Sequence, residues 1–311
     1  MSVAIMLPIH KPVMLAEVVE ALQVQPGKRY VDCTLGSGGH AEAVLRRILP
    51  DGRLLGIDAD AEAIDIAKAR LADFKDNVIF VHGNFASVHS ICKANNFLPV
   101  HGILFDLGIS SLQLDTVERG FSFRYDAPLD MRFNREDALT AADIVNTFPE
   151  EKLEHLIRNY GEERHSRKIA HQIVRNRPIT TTLHLALIIE QAIGQRYSRI
   201  HPATKTFLAL RIAVNRELEN LAAALTQAID CLEPGGRLVV ISYHSLEDRI
   251  VKQFISEESK GCICPPETPI CQCNHVAKLR SISRKVITPS AVEIKANPRS
   301  RSAKLRVAER I

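Results

Sequence analysis

The feature that most constrains this chain is Asp32–His40, where a short apolar strand closes on a cluster of glycines and a helix opens directly behind it. Pro26-Gly27 supplies a turn ahead of the strand, and Ala41, Val44, Leu45 and Ile48 recur at helical spacing after it. Glycine at 36, 38 and 39 lets backbone N–H groups come close to a ligand at a helix N-terminus. The next strand, Arg53–Asp58, ends in a carboxylate 20 residues beyond Gly38. In nucleotide-binding α/β sheets an acid at that distance meets ribose hydroxyls.

Two ligands suit this arrangement, a dinucleotide and S-adenosylmethionine. Gly36, Gly38 and Ala41 satisfy the G-x-G-x-x-G/A fingerprint of dinucleotide sites. Asp32 argues the other way. A negative charge immediately before the glycines repels a pyrophosphate and attracts the ammonium of a methionine moiety.

Four strand-like runs alternate with helical patterns in the first third of the chain: Arg29–Thr34, Arg53–Asp58, Val78–His82 and Gly102–Leu107. This rhythm specifies a parallel sheet with crossover helices. Gly83-Asn84-Phe85 follows the third strand and Asp106 ends the fourth, at the strand ends where open α/β sheets bind ligands. After Ile109 the rhythm changes. Residues 111–135 read as loop, with Phe121, Phe123, Tyr125 and Phe133 interleaved with Arg119, Arg124, Arg132 and Arg135. Helices are expected over Glu150–Tyr160 (ended by Gly161), Glu163–Asn176 and Thr182–Gly194, with no strand between 111 and 205. A long amphipathic helix should then run from Pro202 to Leu232, before a buried strand Arg237–Tyr243 and two more strands at Lys285–Thr288 and Ala303–Glu309. The sheet unit thus takes residues 1–110 and 206–311, and residues 111–205 form a helical insertion.

Hydrophobic residues make up 46% and charged residues 24% of the 311, an ordinary globular composition with ample core. The net charge is only +4, yet residues 275–311 carry ten Lys and Arg side chains against Glu293 and Glu309. Such an end suits phosphate contacts or forms a solvated face. The apolar opening Met1–Ile9 lacks the basic start of a signal peptide, no apolar run is long enough to span a membrane, and seven cysteines argue against a secreted disulfide framework. The expected location is the cytoplasm, with no membrane partner.

Eight motifs in order carry a family resemblance: Asp32–His40, Asp106–Asp115, Arg119–Arg124, Leu129–Arg132, Tyr160–Arg164, His201–Thr204, Ser242–Arg249 and Asn297–Ser302. From about His10 to the C-terminus the chain resembles the bacterial small-subunit ribosomal RNA cytosine-N4 methyltransferases, the MraW or RsmH family. The resemblance implies an α/β fold, a Rossmann-like class I S-adenosylmethionine-dependent methyltransferase sheet with an α-helical insertion domain for RNA recognition. It implies methyl transfer from S-adenosyl-L-methionine to the exocyclic N4 of a cytosine in the decoding region, with small-subunit rRNA or the assembled small subunit as partner. Carried over motif by motif, the cofactor contacts fall on Gly38, Gly39, His40, Asp58, Phe85, Asp106 and Gln113.

The cytosine amine is a poor nucleophile, because its lone pair is delocalised into the ring, so an acceptor for its proton is required. Many amino-methyltransferases place an Asp/Asn-Pro-Pro-aromatic loop after the fourth strand. This chain reads Asp106-Leu107-Gly108-Ile109 there. Asp106, Ser110, Ser111, Asp130 and His244 are the candidates, His244 with the alternative of ordering its loop. The aromatic and Arg-rich loop 119–135 offers stacking for a splayed base, or forms a partly ordered lid that packs its aromatics on the sheet. Cys262-x-Cys264 and Cys271-x-Cys273 either ligate zinc or form a reduced or oxidisable loop.

Overall fold

The computed structural model describes residues 11–194, 201–265, 268, 270–283 and 285–311, so the opening Met1–Ile9 lies outside the described residues. The chain divides into two compact units, 1–108 with 220–311, and 109–219.

The first unit begins α1 (Leu15–Ala21), β1 (Arg29–Asp32), α2 (Gly39–Ile48), β2 (Arg53–Asp58), α3 (Ala61–Arg70), β3 (Val78–His82), α4 (Val88–Ala94) and β4 (Val100–Asp106). The second holds α5 (Ser111–Asp115), α6 (Ala141–Thr147), α7 (Glu150–Gly161), α8 (Ser166–Arg175), α9 (Thr182–Ile193) and α10 (Thr204–Asn215). Then come α11 (Glu217–Cys231), β5 (Leu232–Ser242), α12 (Ser245–Glu258), β6 (Leu279–Ser281), α13 (Ala291–Ala296) and β7 (Lys304–Arg310).

The sheet runs β3-β2-β1-β4-β5-β7-β6. The first five strands are parallel, and β7 and β6 complete the far edge antiparallel. Strands buried on both faces must be apolar at successive positions, and Leu54–Ile57 and Gly102–Phe105 are. Successive residues feed opposite cores. Val31, Leu55, Ile57, Ile103, Phe105, Leu238 and Val240 pack with α4, α11 and α12. Tyr30, Leu54, Leu104, Val239 and Ile241 pack with α1, α2 and α3. Strand order reverses between β1 and β4, and the carboxyl ends on either side of that switch are where such a sheet takes a ligand.

Three expectations are corrected. The helix expected over 202–232 is two helices, because Arg216 adopts a left-handed conformation with φ 50°. Arg211 and Glu217 pair bidentately across the break, at 2.8 and 2.9 Å. Next, residues 285–288 form only a single bridge, Ile287 to Leu305. Leu279 is buried in the core whereas Ile287 is exposed, so 279–281 takes the edge position instead. Finally, the segment 111–135 contains the short helix α5, stabilised by a capping box in which Ser110 Oγ accepts from Gln113 N–H and Gln113 Oε1 accepts from Ser110 N–H.

In the second unit the helices surround one apolar core that includes Leu153, Ile157, Ile169, Ile173, Leu185 and Leu210. Gly161 is the last residue of α7 and does not follow it; Glu162 takes the left-handed position with φ 47°. A Cβ on Gly161 would sit 2.7 Å from the Lys205 carbonyl oxygen, so glycine allows α10 to lie close against α7. Gly161→Ala should therefore destabilise the protein by about 1–3 kcal/mol through overpacking, read as a lowered midpoint in urea denaturation.

Candidate active site

The glycine turn is shaped by the backbone. Gly36 and Gly38 have φ of 51° and 79°, and Gly38 serves as the N-cap of α2. The turn is tied to β2 by Asp58, whose Oδ2 accepts the Gly36 N–H at 2.7 Å while Oδ1 accepts the Asp60 N–H at 2.9 Å. Each oxygen retains a lone pair for a further donor. Asp32, 3% exposed, accepts the Thr34 N–H at 3.1 Å. The Thr34 hydroxyl oxygen in turn accepts the Asp106 N–H at 2.7 Å, joining the ends of β1 and β4.

Asp106 is held from two sides. Tyr243, just past β5, donates its hydroxyl to Oδ1 at 2.8 Å, and His40 Nε2 lies 3.3 Å from Oδ2. His40 is buried, and neither ring nitrogen makes a hydrogen bond within the described residues. A buried imidazole that makes no hydrogen bond among the described residues, beside converging carboxylates, suits a polar ligand. Phe85 is half-buried and meets Phe105 edge-on with ring centroids 5.7 Å apart, which leaves a flat apolar surface beside the end of β3.

Burial pushes the Asp32 carboxyl up to about 6, against the pull of His40 and the Thr34 N–H. Burial pushes Asp58 to about 6 as well, against the N–H groups of Asp60 and Gly36. Burial and the adjoining Asp106 carboxylate hold the Tyr243 phenol far above its ordinary range, so it remains a donor. Acids crowded into a low dielectric favour a ligand that brings positive charge and hydroxyl donors.

The structure thus gathers Gly38, Gly39, His40, Asp58, Phe85 and Asp106 in the first unit, around or near the carboxyl ends of β1–β4. Gln113 belongs to the second unit, where it is buried and completes the α5 capping box with Ser110. The Ser111 hydroxyl is buried without a hydrogen-bond partner among the described residues. Asp130 is bound bidentately by Arg132, both contacts at 2.8 Å. Burial raises its carboxyl, but the Arg132 hydrogen bonds outweigh that and hold it below the ordinary range, a poor setting for a proton acceptor. His244 is the N-cap of α12 in a capping box with Glu247, whose Oε2 also accepts the Tyr243 and His244 N–H groups. That geometry lets His244 order the start of α12.

The expected packing of the loop's aromatics on the sheet is corrected: Phe121, Phe123 and Phe133 join the apolar core of the second unit. Phe121 stacks on Phe133 at 5.7 Å, and Phe123 stacks on His201 at 4.4 Å and meets Phe207 edge-on at 4.9 Å. Arg119 is buried and donates to the Arg132 and Phe133 carbonyls, and Tyr125 alone of the four rings is well exposed. The basic C-terminal run is also partly committed. Lys304 and Arg306 both bind Asp248, at 3.2 and 2.7 Å, and Arg237 and Arg280 both pair with Glu309. Sequence reasoning missed Thr34 and Tyr243. The detectable signal for Tyr243 was a phenol at the end of a strand that pairs beside β4.

A family model described as the MraW methylase family matches residues 8–311. A protein of Dehalococcoides mccartyi named ribosomal RNA small subunit methyltransferase H is 60% identical over 97% of this chain and 86% of its own length. Proteins of the same name from Thermomicrobium roseum and Syntrophotalea carbinolica are each 50% identical over 97% of this chain, and over 94% and 98% of their own lengths.

The raised carboxyls carry a pH signature. Between their ordinary value near 4 and about 6, the ligand-free folded protein holds protons on Asp32 and Asp58 that the unfolded chain releases. Their contribution to stability therefore falls as pH rises through this window. Denaturation midpoints of wild type and Asp58→Asn should diverge between pH 4 and 6, wild type losing more, and the two carboxyl carbons should titrate near pH 6 by NMR.

Proposed function

The chain belongs to the MraW methylase family, and from that premise we propose that it transfers a methyl group from S-adenosylmethionine to the exocyclic N4 of a cytosine in small-subunit ribosomal RNA, in the cytoplasm. The observation that carries the reading is the set of carboxylates at the ends of β1, β2 and β4 around the glycine turn, with His40 buried among them and making no hydrogen bond among the described residues. The family match sets the dinucleotide reading aside.

The residues present fit the methyl donor. Asp58 has lone pairs left for both ribose hydroxyls, Phe85 offers its face to adenine, and the Asp32 carboxylate complements the amino-acid ammonium. A polar group of the ligand can supply the hydrogen bond that the His40 ring lacks among the described residues. Gln113 joins this set on the family motif. When bound, the cofactor supplies an electrophilic methyl on a sulfonium. The protein must then align the amine in line with that methyl and take up its proton. Asp106 is the proton acceptor in this reading. The Tyr243 hydroxyl fixes the rotamer of its carboxylate and leaves Oδ2 turned toward His40.

RNA recognition falls to the second unit. On and beside α8, Arg164, Arg167, Lys168 and Arg175 are exposed, and exposed Tyr125 supplies a ring for stacking. Arg306, in the basic C-terminal run, is paired with Asp248 at 2.7 Å.

Labelled S-adenosylmethionine with small ribosomal subunits, followed by nucleoside analysis, should yield N4-methylcytidine; label confined to 5-methylcytidine would overturn the reading. Asp106→Asn should retain cofactor binding in calorimetry and lose about 10²-fold or more in single-turnover transfer. Asp58→Ala should weaken cofactor binding by about 1–3 kcal/mol. Replacing Arg167, Lys168 and Arg175 together with Gln should flatten the salt dependence of RNA binding by about 2 in log–log slope, with cofactor affinity unchanged.

A further inference from the structure

The connection from α12 to β6, residues 259–278, contains no helix or strand among its described residues. Its described apolar side chains do not form a core either, since Ile263, Ile270 and Val276 are 50%, 76% and 71% exposed. A segment that cannot bury apolar surface needs another constraint to keep one conformation. Its two ends are anchored: Lys278 N–H donates to the Glu258 carbonyl at 2.8 Å, and His275 Nε2 lies 3.2 Å from the Glu257 carbonyl. Between those anchors four thiols converge.

The sulfurs of Cys262, Cys264, Cys271 and Cys273 all lie within 4.8 Å of one another. Cys262 and Cys271 are 3.4 Å apart, Cys271 and Cys273 3.6 Å, and Cys273 and Cys262 3.7 Å. A disulfide requires about 2.05 Å, so none of these pairs is bonded. Four ligands at the zinc–thiolate distance of about 2.3 Å stand about 3.8 Å apart at the corners of a tetrahedron. The observed spacings match that figure far better than they match a disulfide.

Backbone donors complete the pattern. Ile263 N–H points to Cys273 Sγ, Cys264 N–H to Cys262 Sγ and Gln272 N–H to Cys264 Sγ, each at 3.4 Å. Two of these contacts cross between the Cys-x-Cys pairs, so each pair places its neighbour's sulfur. N–H groups aimed at sulfur stabilise thiolate, the form that binds metal, and offset the two negative charges of a zinc tetrathiolate.

We propose that Cys262, Cys264, Cys271 and Cys273 hold one zinc ion, a structural site that fixes the α12–β6 connection at the edge of the sheet. Binding replaces four S–H bonds by four Zn–S bonds and releases four protons, with no change of oxidation state. All four positions are filled by protein, so the ion is closed to substrate and takes no part in methyl transfer.

The full-length protein, purified without chelator from zinc-supplemented culture, should contain about one zinc per chain by elemental analysis. Cobalt exchanged into it should show thiolate-to-cobalt charge-transfer bands and the intense visible bands of a tetrahedral site. The double variant Cys264→Ser/Cys273→Ser should hold less than about a tenth of that metal, keep S-adenosylmethionine binding in calorimetry, and be cleaved faster by protease within 259–278. The cobalt spectrum is read on wild type, so it decides the matter even if the variant does not fold. Wild-type protein that takes up neither zinc nor cobalt, that carries iron in this site, or whose four thiols are isolated as disulfides under air-free handling would overturn the proposal.

Discussion

One hydrogen bond organises the ligand-binding end of the sheet, from the Gly36 N–H to the Asp58 carboxylate. It ties the glycine turn after β1 to the tip of β2. Because Gly38 caps α2 directly behind that turn, it also sets where the helix begins. Burying that carboxylate is unfavourable, and the two backbone N–H groups it accepts offset only part of the cost. The same holds for Asp32 on the neighbouring strand. The site is therefore built at the expense of local stability, as pockets that complete themselves with a polar ligand commonly are.

Much of this was legible in the sequence because parallel strands and crossover helices are local patterns. β1 to β4 fell where apolar runs and turns placed them, and Asp32, Asp58 and Asp106 each stood at a strand end. What stayed hidden was set by tertiary context. No glycine or proline announces the break at Arg216; it follows from α10 packing into one core and α11 into another. Thr34 and Tyr243 act on a backbone and a carboxylate far away in the chain, which no local period reveals.

Charge and aromatic patterns each left two readings open for a related reason. A run of Arg and Lys at the C-terminus reads as a surface for phosphate, but β7 is an internal strand of the sheet and recruits its own counter-ions. Asp248 takes Lys304 and Arg306, and Glu309 takes Arg237 and Arg280 from the strands on either side. In the loop 119–135, rings alternating with arginines pack into the core of the second unit, and buried Arg119 donates to the Arg132 and Phe133 carbonyls. Side chains suited to nucleic acid serve equally well to hold an irregular segment together.

The second unit enters the chain immediately after β4, and this has a kinetic consequence. β1 can pair with β4 and with β2, and β2 with β3, as soon as the first third of the chain exists, since those contacts span modest loops. The partner on the other side of β4 arrives much later: Asp106 pairs in register with Ile241, and the hydroxyl that orients its carboxylate is 137 residues away. Closing so long a loop is slow unless the intervening segment first becomes compact, which the insertion does around its own core. During synthesis the acids of the pocket therefore assemble ahead of the group that aims one of them, and the half-built sheet presents β4 as an unpaired edge until the insertion has folded.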